Sequence, residues 1–154
     1  VTTRLPFILL ALLGAAACTD PGDPKIDITG AYVVTGAGVA PSAIYATFRN
    51  VRAIDDTLLV VIPERAEGVM LHETTTDAEG RSRMTHIEEL LVPGRATVSL
   101  RPGGAHVMVT RFEESVVRGD SVYVTFRFAR AGAISLNVAV IDHSEVDRVT
   151  SGGR

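Results

Sequence analysis

The chain predicts an all-β domain, and three observations carry that prediction. Nine short runs are rich in Val, Ile, Thr, Phe and Tyr, residues that fit a pleated, half-buried surface. Gly-, Pro- and Asp-containing turn signals separate them at short intervals. No stretch keeps a helical period for more than a turn or two. Strands of this length and spacing indicate an antiparallel β-barrel or sandwich of about eight or nine strands.

Taken in order, the strand-like runs are AYVVTG (31–36), AIYATFRN (43–50), TLLVVI (57–62), GVMLHE (68–73) and RMTHIEELLV (83–92). ATVSL (96–100), HVMVTRF (106–112), SVYVTFRF (121–128) and AISLNVAVI (133–141) complete the set. Between them lie Gly-Ala-Gly at 36–38, Asp55-Asp56, Asp77 to Gly80, Pro93-Gly94, Pro102-Gly103-Gly104, Arg118-Gly119-Asp120 and Ala131-Gly132. SVYVTFRF alternates cleanly, with Val122, Val124, Phe126 and Phe128 against Ser121, Tyr123, Thr125 and Arg127. One face meets a core and the other meets water, as in an antiparallel sheet. The domain spans 31–141, and the polar tail 142–154 is expected to fray.

The start of the chain has the anatomy of an export leader. Arg4 precedes a short apolar run, Leu5 to Leu13, well under the ~20 residues that a membrane span needs. Ala15, Ala16 and Ala17 supply small residues for a signal protease, so residues 1–17 read as a signal peptide. Val1 reads as an alternative start. Cys18 is the only cysteine, and Ala15-Ala16-Ala17-Cys18 resembles the lipobox of bacterial lipoproteins. That resemblance implies that Cys18 is lipidated and the protein a membrane-anchored lipoprotein in the periplasm or another extracytoplasmic space; ordinary cleavage after Ala17, leaving a free thiol, is the alternative. Residues 18–30, rich in Pro, Gly and Asp, read as the lipidated Cys and a flexible tether.

Composition excludes several functions. With Arg4 removed, 14 basic residues face 18 acidic ones, a net charge of −4 and no footprint for nucleic acid. With its one cysteine at the tether, the domain can build no disulfide framework, CxxC redox pair or thiolate zinc site. Type-1 copper chemistry is excluded for the same reason. No GxSxG nucleophile motif is present, and Glu88-Glu89 point to alternating faces of a strand rather than forming an acid pair. The chain therefore reads as a non-enzyme.

One pattern carries chemistry. The chain has three Met and four His, and every Met has a His two residues away: Met70 with His72, Met84 with His86, Met108 with His106. In a strand each pair shares a face. By chance a given Met would have such a neighbour only about 5% of the time. A hairpin symmetric about residue 78 places His72 opposite Met84 and Met70 opposite His86, all on one face. His106 and Met108 add a third strand to the patch, behind a Gly103-Gly104 turn that can aim them. Imidazole and thioether without thiolate suit Cu(I), whereas zinc, magnesium and calcium prefer harder donors. His143, alone near the tail, reads as surface scenery.

The spacing His72, eleven residues, Met84, twenty-one residues, His106-x-Met108 resembles the PCu(A)C family of periplasmic copper chaperones. AIYATFRN, GVMLHET, PGRATVSLRPGGAHVMV and RGDSVYVTFRFARAGAISLNVAV are similar to that family's strands, so the likeness covers about residues 43–141. It implies a cupredoxin-like fold with one exposed Cu(I) held by His72, Met84, His106 and Met108. Met70 and His86 are possible auxiliary donors. It also implies handing Cu(I) to a periplasmic acceptor, such as the cytochrome oxidase copper centre or a thioredoxin-like copper assembly factor. The chain departs from the pattern in having Glu73-Thr74 where a second Met often stands, Thr85-His86 in place of Arg-Pro, and no His- and Met-rich tail. A β-sandwich interaction module with a vestigial site and a copper buffer or storage lipoprotein are the alternative readings.

Overall fold

The structure, a computed structural model, describes residues 25–36 and 40–151. The leader, Cys18 and the first part of the tether lie outside the described residues. Ten strands follow one another: β1 (Ile26–Val34), β2 (Ser42–Asn50), β3 (Asp56–Pro63), β4 (Ala66–Thr76), β5 (Ser82–His86), β6 (Leu90–Val92), β7 (Thr97–Leu100), β8 (Ala105–Phe112), β9 (Ser121–Phe128) and β10 (Gly132–Ile141). A 3-10 turn (His143–Glu145) leads into a short helix α1 (Val146–Ser151). Among the described residues no helix is long and apolar enough to cross a membrane.

The strands form one sheet in the order β5-β4-β8-β2-β1-β10-β9-β3-β6, with β7 also paired to β2. It curls on itself. Phe48 of β2 meets Phe126 and Phe128 of β9 edge-on, each at a ring separation of 5.5 Å, although β1 and β10 lie between those strands in the hydrogen-bonding order. Ile44, Leu58, Val107, Val109, Val124 and Val138 fill the space enclosed with them. Truncating such a packed aromatic side chain to Ala costs about 3–5 kcal/mol.

The all-β fold class holds, with four corrections in detail. β1 begins at Ile26, which is buried and pairs with Asn50, so the tether does not extend to residue 30. The run 83–92 is two strands. β5 pairs with β4 at one end of the sheet and β6 pairs with β3 at the other, with residues 87–89 crossing between them. Pairing is not wholly antiparallel, since β1 and β10 run parallel. The tail is ordered through Ser151. Asp142 caps the 3-10 turn, and Arg118 grips the Glu145 carboxylate with two hydrogen bonds of 2.7 and 2.8 Å.

A bulge in β1 decides what lies on the outer face of the sheet. Register shifts between Thr29 and Tyr32, around Gly30 at φ +57°. One extra residue reverses which side chains face inward. Ile26 and Ile28 pack on the core before the bulge and Val33 after it, while Tyr32 and Val34 turn to the outer face. There they meet Tyr45 of β2, with Ile141 and Val146 packed against them.

Candidate metal centre

Each Met and its His neighbour lie two residues apart on β4, β5 or β8, three strands adjacent in the sheet. On β4 and β8 the intervening residues Val69, Leu71, Val107 and Val109 face the core. Alternation therefore sends Met70, His72, His106 and Met108 to the outer face. β5 adds Met84 and His86 on the same side.

The pairing is in register across all three strands. His86 pairs with His72, and His72 with His106. The His72 ring stands edge-on to both neighbours, at 5.8 Å from His86 and 6.0 Å from His106. Met70 pairs with Met108 one step along, and Met84 pairs with Thr74 one step the other way. The hairpin is thus centred on residue 79, not 78. His72 faces His86 rather than Met84, and Met70 does not face His86. Asp77 sets that centre. Its backbone N–H donates to the Arg81 carbonyl at 3.0 Å, and its carboxylate accepts from the Glu79 and Arg81 N–H groups. Gly80 completes the three-residue loop at φ +80°. Because the pairing moves by two residues, the face is preserved. Met84 stays diagonal to His72, at a distance a long side chain can bridge.

Burial divides the cluster. His72 and His106 are 9% and 8% exposed, Met70 and Met108 are half-buried, and Met84 is 54% exposed with His86 also open. The expected exposed site thus combines a buried histidine pair with an open rim. Tyr45 covers the far side of His106 at a ring separation of 6.5 Å, and Tyr32 stacks behind Tyr45 at 5.1 Å. Five rings thus cross five strands: His86, His72, His106, Tyr45, Tyr32. The two tyrosines are missing from the sequence reading. The signal for Tyr45 was there, since it alternates with the core residues Ile44 and Ala46.

The two buried imidazoles are prepared differently. His106 Nδ1 lies 3.0 Å from the Gly104 carbonyl oxygen. A carbonyl only accepts, so Nδ1 carries the proton and Nε2 keeps its lone pair. The Gly104 carbonyl also accepts from the Thr74 N–H, and Gly103 shapes the turn at φ +72°. The expected aiming role of this turn is thereby visible. His72 Nδ1 is buried with no hydrogen-bond partner, the one such side-chain nitrogen or oxygen among the described residues. An orphan of this kind costs about 1–3 kcal/mol unless something satisfies it. Burial first, then the neighbouring His106 and His86, push the His72 imidazole below its ordinary range. That direction favours the neutral ring, in which one nitrogen keeps a lone pair for a ligand.

Among the described residues no group of three His, Cys, Asp or Glu side chains is arranged to hold a metal ion. The donors that this face offers are imidazole and thioether, a set that favours a soft cation.

Residues 26–140 match the family described as "Putative lipoprotein LpqE-like". The chain belongs to the LpqE-like family. "Putative lipoprotein Lxx21020" of Leifsonia xyli is 26% identical over 149 residues, covering 92% of this chain and 89% of that protein. "Uncharacterized protein RP573" of Rickettsia prowazekii is 26% identical over 112 residues, covering 72% of this chain and 61% of that protein. Among solved structures, the "Copper-bound PCuAC domain from PmoF2" superposes with a TM-score of 0.65 at 21% identity, over 79% of this chain and 96% of that one. The solution structure of CuI-DR1885 from Deinococcus radiodurans gives 0.56 at 29% identity, over 73% and 74%. This LpqE-like protein has the PCuAC fold, as the resemblance in its sequence implies.

Proposed function

We propose that this LpqE-like protein is an extracytoplasmic Cu(I) carrier, not an enzyme, anchored to a membrane through Cys18. One observation carries the reading. Two buried imidazoles stand abreast on β4 and β8, with the Met108 thioether in the next row and the Met84 thioether diagonal to His72, and the His72 Nδ1 has no hydrogen-bond partner. Neutral imidazole and thioether hold Cu(I) without ionised ligands, and outside the cytosol they do not oxidise to a disulfide as paired cysteines would. His72, Met84, His106 and Met108 are the proposed ligands. The copper-bound state of two structural relatives supports copper as the metal.

Copper is cargo here. His72 and His106 hold it from the buried part of the outer face, and exposed Met84 is the ligand that an incoming donor displaces most easily. The acceptor is a periplasmic copper protein, such as the copper centre of cytochrome oxidase or a thioredoxin-like assembly factor. The test is an anaerobic Cu(I) titration against a competing chelator, beside a Zn(II) control. One tight equivalent of Cu(I), weakened in Met84→Ala and Met108→Ala, is the expected result. A preference for zinc, or no tight equivalent, contradicts it.

A further inference from the structure

Six donors crowd this face, and the four proposed ligands leave Met70 and His86 without a task. Both line the same cleft, of about 170 Å³, between β3 and β4. They lie diagonally across the β4–β5 pair, at a separation that a Met and a His can bridge. Leu58 to Val61 of β3 form the opposite wall, and Glu88 is the only charged residue that lines the cleft. Leu59 and Val60 are themselves exposed at its lip.

Resting on the copper reading above, we propose that Met70 and His86 form a second Cu(I) position at the outward mouth of this cleft, beside the four-residue centre. Cu(I) accepts few, soft ligands, and a thioether with an imidazole supplies two. A hard divalent ion would require more oxygen donors than Glu88 alone. The apolar wall disfavours highly charged species, while one carboxylate favours a single positive charge. The two positions adjoin. The His86 ring is 5.8 Å from that of His72, and Met70 pairs with Met108, so each extra donor sits against a member of the main set. His86 is open to solvent and His72 is not, so copper at the second position is reached from solvent more readily than copper against the buried histidines.

The experiment is an anaerobic titration of the full chain in detergent with Cu(I) against bicinchoninate, in a Cys18→Ser background so that no thiol competes. The parent is expected to bind one tight and one weaker equivalent. Met70→Leu/His86→Gln should keep the tight equivalent and lose the weaker one. Met70→Leu conserves volume and His86 is exposed, so this variant keeps its fold. His106→Gln/Met108→Leu should lose the tight equivalent. Equal stoichiometry and affinities in the parent and Met70→Leu/His86→Gln overturn the second position. Unchanged tight binding in His106→Gln/Met108→Leu overturns the copper centre itself, a separate result.

Discussion

His106 and His86 flank the same histidine, yet their surroundings are opposite. His106 sits on β8 between β4 and β2, with Tyr45 at its side and its Nδ1 proton on the Gly104 carbonyl. His86 sits on β5, the end of the sheet, where every residue is exposed. One end of the row is fixed before any ligand arrives, and the other is free to adjust. A carrier has use for both, because tight holding needs preorganised donors and release needs a reachable one.

That contrast predicts a ranking. Replacing His72 or His106 by Ala should weaken Cu(I) binding by more than about 100-fold, since losing even an outer-shell partner of a metal ligand costs 10–100-fold. Competition titration measures it. Met84→Ala should weaken binding by about 10-fold and leave unfolding in denaturant within about 0.5 kcal/mol of the parent, because the side chain is largely in water. Equal losses of affinity at Met84 and His106 would break the distinction between a fixed and an adjustable end.

Gly103→Ala tests how the fixed end is held. At φ +72° an L side chain costs about 1–2 kcal/mol, although open space surrounds the position. The loss should appear as a lowered Tm, and the displaced Gly104 carbonyl should loosen the His106 ring, visible in its NMR line shape. The smallest effect lies away from the cluster. Arg118's hydrogen bonds hold the Glu145 carboxyl down to about 2. Its contribution is therefore full above the unfolded value near 4.5 and is lost as pH falls through about 2. Carboxyl chemical shifts across that window should show Glu145 titrating well below an ordinary glutamate, and Arg118→Ala should raise it toward the ordinary range.

Much of this was legible in the sequence because strand alternation needs only a period of two. SVYVTFRF buries Val122, Val124, Phe126 and Phe128 as written, and the three His–Met pairs fall on one face of adjacent strands. What escaped depends on where the chain turns. The partner of His72 changed because Asp77 closes a three-residue loop centred on residue 79, a property of backbone geometry that composition does not encode. RMTHIEELLV reads as one strand because nothing in its pattern shows that its halves serve opposite ends of the sheet. The burial of His72 and His106 also lay out of reach. It arises from neighbours on other strands, such as Tyr45 beside His106, which the β1 bulge backs with Tyr32.

The central claim is that imidazole and thioether together bind the cargo. X-ray absorption at the copper edge tests it most directly, on the full chain loaded anaerobically with one equivalent of Cu(I). With Cys18→Ser, the three methionines are the only sulphur in the chain. A shell of imidazole nitrogen with at least one sulphur scatterer, losing sulphur in Met84→Leu/Met108→Leu, is the predicted result. A shell of nitrogen and oxygen alone would contradict the account.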